Sequence, residues 1–228
     1  MHTEETLYGR FVRTHGWSGN PPQDDAEARG RILRAARARL AETGTTSTSE
    51  VAELLGVTRQ TVYRYYPTTE DLLNAAAMDA VADLTMQLVD HVARHLASTH
   101  GDAGDAVVEV VAFVYEHLRD DPALNRLIAP GRISTTLAGM TAPDAIALGR
   151  SLLSGFPVDW DEAGVGASAQ RELVEHLLRT LQSLVIDPGH PERSPVELRA
   201  YLQRWIAPAV RAQKAGALPL LPVDALAR

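Results

Sequence analysis

The sequence predicts an all-α protein of two parts: an N-terminal helix-turn-helix domain of three helices and a larger C-terminal helical domain. Three observations carry the helical reading. Apolar residues recur at three- and four-residue spacing in successive segments, the period of one face of a helix. Ser, Thr or Asp precedes these stripes, and Gly or Pro follows them, as helix starts and stops require. Residues 47–66, STSEVAELLGVTRQTVYRYY, place two short helices around a tight turn. The 228 residues suffice for two helical domains, and 45% apolar content supports a real core and argues against disorder.

Residues 1–23 contain Gly9, Gly16, Gly19, Pro21 and Pro22 without periodicity and read as a flexible N-terminal arm. Arg10 and Arg13 have the chemistry to enter a minor groove, though an idle tail is the plainer reading. The helix-turn-helix domain follows at 24–70. Its first helix runs from about Asp25 to Thr43, capped by Asp24 or Asp25 and ended by Gly44. Ile32, Leu33, Ala36 and Leu40 form the stripe that packs under the next two helices.

In the motif, Ser47 caps the first helix and Glu50 closes a capping box. Val51, Ala52 and Leu55 give that helix a small apolar face. Gly56-Val57 makes the turn, where Gly tolerates backbone angles that other residues resist. Thr58 caps the second helix, and Pro67 ends the motif. Along the second helix Thr61, Val62, Tyr65 and Tyr66 alternate with Arg59, Gln60, Tyr63 and Arg64, so one side docks while the other points outward. Such a pair lays its second helix in the major groove of DNA. Arg59, Gln60 and Arg64 are its long polar side chains; Arg pairs with guanine and Gln with adenine through two hydrogen bonds.

The run Val51-Ala52, Gly56-Val57-Thr58, Thr61-Val62-Tyr63, Tyr65-Tyr66, Glu70 and Leu72-Leu73 resembles the DNA-binding domain of the tetracycline-repressor (TetR) family. The resemblance extends without a gap over roughly residues 26–86. Two positions depart from it. Gln60 stands where the family often has Gly, adding a side chain that can reach a base. Thr69 stands where the family usually has a phosphate-touching Lys. The resemblance implies a homodimeric repressor that binds a near-palindromic operator and releases it when a small molecule fills the C-terminal domain. It also implies phosphate contacts from Tyr63 and Tyr65, with Ser47, Thr48, Thr58, Thr61 and Thr69 completing the DNA-binding set. For Tyr65, packing inward beside Tyr66 is the alternative.

The net charge of −7 looks wrong for a DNA binder, but it is unevenly spread. Between residues 29 and 66, seven arginines (29, 31, 34, 37, 39, 59 and 64) face Glu42, Glu50 and Glu53, a local balance of +4 that leaves −11 elsewhere. A local basic patch supplies phosphate attraction whatever the total. Without the adjoining motif, a solvated helix face would explain the arginines.

Residues 71–214 form the second domain. Thr68 caps a long helix from about Thr69 to Ser98, striped by Leu72, Leu73, Ala76, Ala80, Leu84 and Leu88. A helix that leaves the reading head and enters the body can carry motion between them. After Gly101 and Gly104, Val107, Val110, Val111, Val114 and Leu118 recur at helical spacing, which outweighs the strand preference of valine. Val108, Ala112 and Tyr115 make that helix apolar on a second side and therefore central. Asp121-Pro122 opens a short helix to about Ala129, and another covers roughly Ala142 to Ser154, with a loop from Gly155 to Gly166. The last two helices run from about Ala167 to Ile186 and from Pro195 to Lys214. Leu173, Leu177 and Leu181 stripe the first; Leu198, Leu202 and Trp205 stripe the second. Such stripes serve either half of a four-helix bundle or packing within one chain; in the resembled family the bundle is the dimer interface. Residues 215–228 read as a tail.

The family's C-terminal domain encloses a small-molecule pocket. The helices between 103 and 160 are apolar on more than one side, and Met86, Phe113, Tyr115, His117, Leu127, Met140, Phe156 and Trp160 are candidate lining residues, with ordinary core as the other reading of each. Few charges among them imply a largely apolar effector.

Other chemistries find little support. Without cysteine there is no disulfide, thiolate metal site or thiol catalysis. The N-terminus lacks a signal-peptide pattern, and no run of eighteen apolar residues occurs, so a cytoplasmic protein is expected. His91 and His95 stand one helical turn apart, within reach of one metal; His117 or His176 would have to supply a third ligand. Solvent-facing histidines are the plainer reading. No phosphate loop or nucleophile elbow appears, and paired acids fall at helix ends, so neither an enzyme nor a cofactor is expected. Two rival readings stay open: a helical small-molecule-binding protein that no longer reads DNA, suggested by Thr69 and the acidic total, and a metal enzyme using the His91/His95 face.

Overall fold

The computed structural model describes residues 16–125 and 141–214 as ten α-helices and one 3-10 turn, with no strand among the described residues. The chain forms two units, residues 1–76 and 77–228, whose boundary falls inside one long helix.

The first unit contains α1 (Asp25–Thr43), α2 (Thr48–Leu54), α3 (Arg59–Tyr65) and the start of α4 (Thr69–Thr99). Local chemistry sets each end. The Asp24 carboxylate accepts the Glu27 N–H at 2.7 Å, and the Gly44 N–H donates to the Leu40 carbonyl at 2.8 Å. Ser47 Oγ accepts from the Glu50 N–H at 3.2 Å and donates to Glu50 Oε2 at 2.9 Å, so Glu50 closes onto the hydroxyl. Gly56 sits at φ +63°, in the left-handed region where a side chain strains the backbone, and this turns the chain between α2 and α3. Thr58 Oγ1 accepts the Thr61 N–H at 3.2 Å and starts α3. Ala28, Ile32 and Ala36 of α1, Val51 of α2, Val62 of α3 and Leu72 and Ala76 of α4 are completely buried and form one core. Ahead of α1, Arg31 bonds both the Asn20 carbonyl and Glu27, tying the preceding segment to that helix.

The second unit is built around α5 (Ala103–Asp120), which packs against α6 (Pro122–Asn125), α8 (Ala167–Ile186), α9 (Pro195–Trp205) and α10 (Ala207–Lys214). The valine-rich segment is helical because its apolar residues recur at i, i+3 and i+4; a reciprocal box between Asp102 and Asp105 starts it. Helix α7 (Pro143–Gly155) packs on α8. The loop after α7 is anchored by Trp160, whose buried indole N–H donates to the Leu153 carbonyl at 2.8 Å. By length and composition α4 is apolar enough to cross a membrane, the one such helix among the described residues. Asp79, Asp83 and Asp90 interrupt it, and its Leu84, Leu88, Val92 and Leu96 are buried in the unit.

Two expectations change. The segment Pro195–Lys214 is two helices, α9 and α10, parted at Ile206. Pro208 has no N–H to give the Arg204 carbonyl, and its ring crowds that carbonyl, so one continuous helix cannot form. The leucine stripes are also not free. Leu177, Leu181, Leu198 and Leu202 are buried within the single chain, and Leu173 is half-buried. Helix α9, which carries Leu198 and Leu202, packs on α5 of the same chain, so the burial of these leucines does not call for a second chain. Of the six residues expected at a dimer interface, Trp205 alone is exposed, at 67%. Ile186, Val196 and Tyr201 are the other large apolar residues exposed on α8 and α9.

Candidate nucleic-acid interface

Helix α3 is short because Thr58 starts it and Pro67 forbids its continuation. Within its seven residues Val62 is fully buried, and Tyr66 directly after it is buried too, which fixes how the helix is turned. Arg59, Gln60, Tyr63 and Arg64 consequently fall on the exposed side. This side carries hydrogen-bond donors suited to base edges and phosphates, with no apolar residue other than the Tyr63 ring.

The remaining predicted contact residues divide. Thr58 is exposed, and its hydroxyl lies 3.0 Å from that of Thr61 while capping α3. Ser47 is half-buried and engaged in its own cap. Thr69 is half-exposed in the first turn of α4. Thr48 is a correction: at 3% exposure its side chain is packed in the unit's core and cannot reach a phosphate. Tyr65 does not pack inward beside Tyr66. Its hydroxyl donates to Asp25 Oδ1 at 2.7 Å, and the guanidinium of Arg64 lies over its ring at 4.7 Å.

Part of the basic patch is internally engaged. Arg31 pairs with Glu27, Arg39 with Glu42 and Glu50, and Arg64 with Asp25. The exposed cations of the α3 face are therefore Arg59 and the partly committed Arg64. Arg10 and Arg13 lie outside the described residues.

The second unit holds an apolar cavity of about 280 Å³ between α4, α5, α7 and α8. Val81, Leu84, Leu88, Val114, Leu152 and Phe156 are among its walls. Among the described residues Thr85 is the one polar side chain lining it, and its hydroxyl already donates to the Ala82 carbonyl at 2.7 Å. Of the predicted lining residues that are described, Phe156 alone is placed here. Met86 is 65% exposed on α4. Tyr115 is buried with its hydroxyl on Glu192 at 2.9 Å, and Trp160 anchors its loop. Phe113 lies between the rings of His91 and His117, with centroids at 4.4 and 3.9 Å. Leu127 and Met140 lie outside the described residues.

One site escaped the sequence reading. Glu109, the buried acid of α5, accepts from Arg199 at 2.9 Å and meets His91 Nε2 at 2.8 Å, with His95 Nδ1 at 3.9 Å. Arg199 also donates to Glu116 at 2.6 Å. Burial pushes the Glu109 carboxyl up, but Arg199 and then His91 outweigh it and hold it below the ordinary value. His91 and His95 are thus half-buried beside a carboxylate, not fully solvent-facing. His117, weighed as a third metal ligand, points its Nδ1 at the Phe113 carbonyl at 2.8 Å. Among the described residues no three His, Cys, Asp or Glu side chains gather as a metal site would need. A lone Glu inside a valine-rich helical stripe was the available signal for this cluster.

Comparisons with known proteins agree with the geometry of the first unit. Residues 32–76 match the family described as bacterial regulatory proteins, tetR family. An uncharacterised HTH-type transcriptional regulator of Mycobacterium tuberculosis is 31% identical over 100 residues, 43% of this chain and 48% of the relative. A counterpart from Mycobacterium bovis is 34% identical over 102 residues, again 43% and 48%. The chain thus spans about half the length of the curated relatives it matches. Among solved structures, the TetR family repressor AlkX of Dietzia sp., implicated in biodegradation of n-alkanes, is similar in fold. The TM-score is 0.54 at 20% identity, covering 85% of this chain and 98% of that one.

Proposed function

We propose, on the premise that this chain is a TetR-family transcriptional regulator, that it is a ligand-responsive repressor which binds a near-palindromic operator as a homodimer. The observation that carries the reading is the division of α3. Val62 anchors it in the core, while Arg59, Gln60, Tyr63 and Arg64 are presented together on the opposite, exposed side. Arg59 and Gln60 read base edges, and Arg64, Tyr63 and Tyr65 meet phosphates, with Thr58 and Thr69 beside them.

The effector reading rests on the cavity. Its volume of about 280 Å³ lies near the lower end of small-molecule sites, roughly 300–1,000 Å³. Its walls offer no free polar side chain among the described residues, so the effector is a small, uncharged, largely apolar molecule. Helix α4 supplies core residues Leu72 and Ala76 to the first unit and Val81, Leu84 and Leu88 to the cavity, which makes it the element through which filling is felt. Operator-bound and effector-bound states then favour different spacings of the two reading heads. By linkage, the effector binds the DNA-bound form more weakly, by the same factor that it weakens DNA binding. A second copy would meet the exposed Trp205, Tyr201, Val196 and Ile186 in place of the leucine stripes. A reader of chromosomal DNA works in the bacterial cytoplasm, which is the proposed location.

Selection of fragments from the source genome by the purified protein tests this reading. Enriched fragments should share an inverted repeat, bind with steep salt dependence, and be released by an apolar compound that also raises the melting temperature. Uniform recovery of all fragments, with no salt dependence, would leave a helical small-molecule binder as the better account.

A further inference from the structure

Asp25 occupies an unexpected place on a DNA-reading face. The cap of α1 is already supplied by Asp24, and Glu27 adds a second acid to the first turn. Asp25 follows at the first helical position with its side chain 75% exposed. Its Oδ1 accepts the Tyr65 hydroxyl at 2.7 Å and lies 3.3 Å from Arg64 Nη2. Arg64 in turn donates to the Tyr65 hydroxyl, and its guanidinium covers the Tyr65 ring at 4.7 Å. Arg29 approaches the same ring at 5.8 Å. One carboxylate oxygen thus collects a guanidinium and a phenol from the last turn of the reading helix. That is the donor set a phosphate oxygen of DNA would take.

Folding alone does not explain the arrangement. Both partners are largely exposed, Arg64 at 68%, and an ion pair this open adds little to stability. A weak, reversible pair is what a competitor requires. We propose that Asp25 is an internal stand-in for a DNA phosphate: it holds Arg64 and Tyr65 in the free protein and must release them when DNA arrives. This rests on the DNA-binding reading above. Its consequence is that the wild-type protein binds every DNA sequence more weakly than its reading helix would allow. Asp25 thereby lowers non-specific affinity and leaves base contacts by Arg59 and Gln60 to decide where the protein stays.

The test compares wild type, Asp25→Asn, Arg64→Ala with Tyr65→Phe, and the three changes combined. Each is titrated against an enriched genomic fragment and an unrelated fragment of equal length, at several salt concentrations. Asp25→Ser provides a second charge-free variant that keeps a residue suited to a helix start. Asp25→Asn and Asp25→Ser should tighten binding to both fragments by about two- to fivefold, the range an exposed ion pair spans. The gain should vanish when Arg64 and Tyr65 are already replaced. An equal gain with and without Arg64 and Tyr65 would mean that Asp25 merely repels DNA, and would overturn the proposal. Unchanged or weaker binding by both charge-free variants would overturn it as well. If wild type binds neither fragment at low salt, the DNA-binding reading itself fails, an outcome distinct from the other two.

Discussion

Replacing Arg199 with Ala probes the charge cluster on α5. In the native unit the Glu109 carboxylate is 4% exposed and takes Arg199 Nε at 2.9 Å and Nη2 at 3.1 Å. Truncation leaves it with His91 at 2.8 Å and the more distant His95 at 3.9 Å. Removing one partner of a buried ion pair destabilises by about 3–5 kcal/mol, because the remaining charge stays desolvated. Arg199 is itself 28% exposed and His91 stays in place, so the lower end applies, about 3 kcal/mol. Glu116→Gln keeps the Glu109–Arg199 pair and should lose only about 1 kcal/mol. Because most of the penalty resides in the uncompensated carboxylate, Glu109→Gln with Arg199→Ala should lose clearly less than the sum of the single changes. The assay is urea unfolding at fixed protein concentration and neutral pH, reading the midpoint at constant slope. The pH dependence has a definite sign. The folded pKa of Glu109 is depressed below 4.5, so its contribution is present above that value and is lost as pH falls through the folded one. Arg199→Ala removes the contact that depresses it, so the gap between variant and wild type should narrow on acidification below about pH 4.5. A loss under about 1 kcal/mol, or full additivity in the double mutant, would refute the reasoning.

Further expectations follow from other sites. The Arg211 guanidinium, working against partial burial, holds the Asp102 carboxyl down to about 2 from an ordinary 3.8. Asp102→Asn should therefore remove a part of the acid-induced loss of stability that wild type shows between those two values, as followed by circular dichroism. A Cβ on Gly149 would lie 2.5 Å from Val174 Cγ1, so Gly149→Ala should overpack the α7–α8 contact and destabilise by about 1–3 kcal/mol despite alanine's better helix propensity. An unchanged or higher melting temperature would rule out that close approach. Trp205→Glu should convert dimer to monomer at low micromolar concentration by sedimentation, and a wholly dimeric mutant would place the interface elsewhere. On a panel of single-base operator variants, Gln60→Ala should relax preference at one position per half-site, by about 1–3 kcal/mol there, while Tyr63→Phe should weaken all sequences alike.

The helix boundaries of the first unit were legible because they are local. Asp24, Ser47 and Thr58 each cap within three residues of themselves, and Gly44, Gly56 and Pro67 act through their own backbone angles. The outward face of α3 was legible for the same reason, since one buried Val62 in a seven-residue helix fixes the rotation of the rest. The break at Ile206 was also written locally, in Pro208, but the apolar stripe running past it masked the signal. Partner choice is different in kind. A leucine stripe states that a face must be buried and says nothing of what buries it; α9 meets α5 only because the chain returns to it some ninety residues later. The Glu109–Arg199 pair, the Asp25–Tyr65 bond and the cavity against Phe156 likewise join residues far apart in sequence. Periodicity and capping therefore determined which segments are helices and which face of each is apolar. Which faces meet, which charges are thereby desolvated and where a void remains were decided by tertiary packing, because those are properties of pairs of helices.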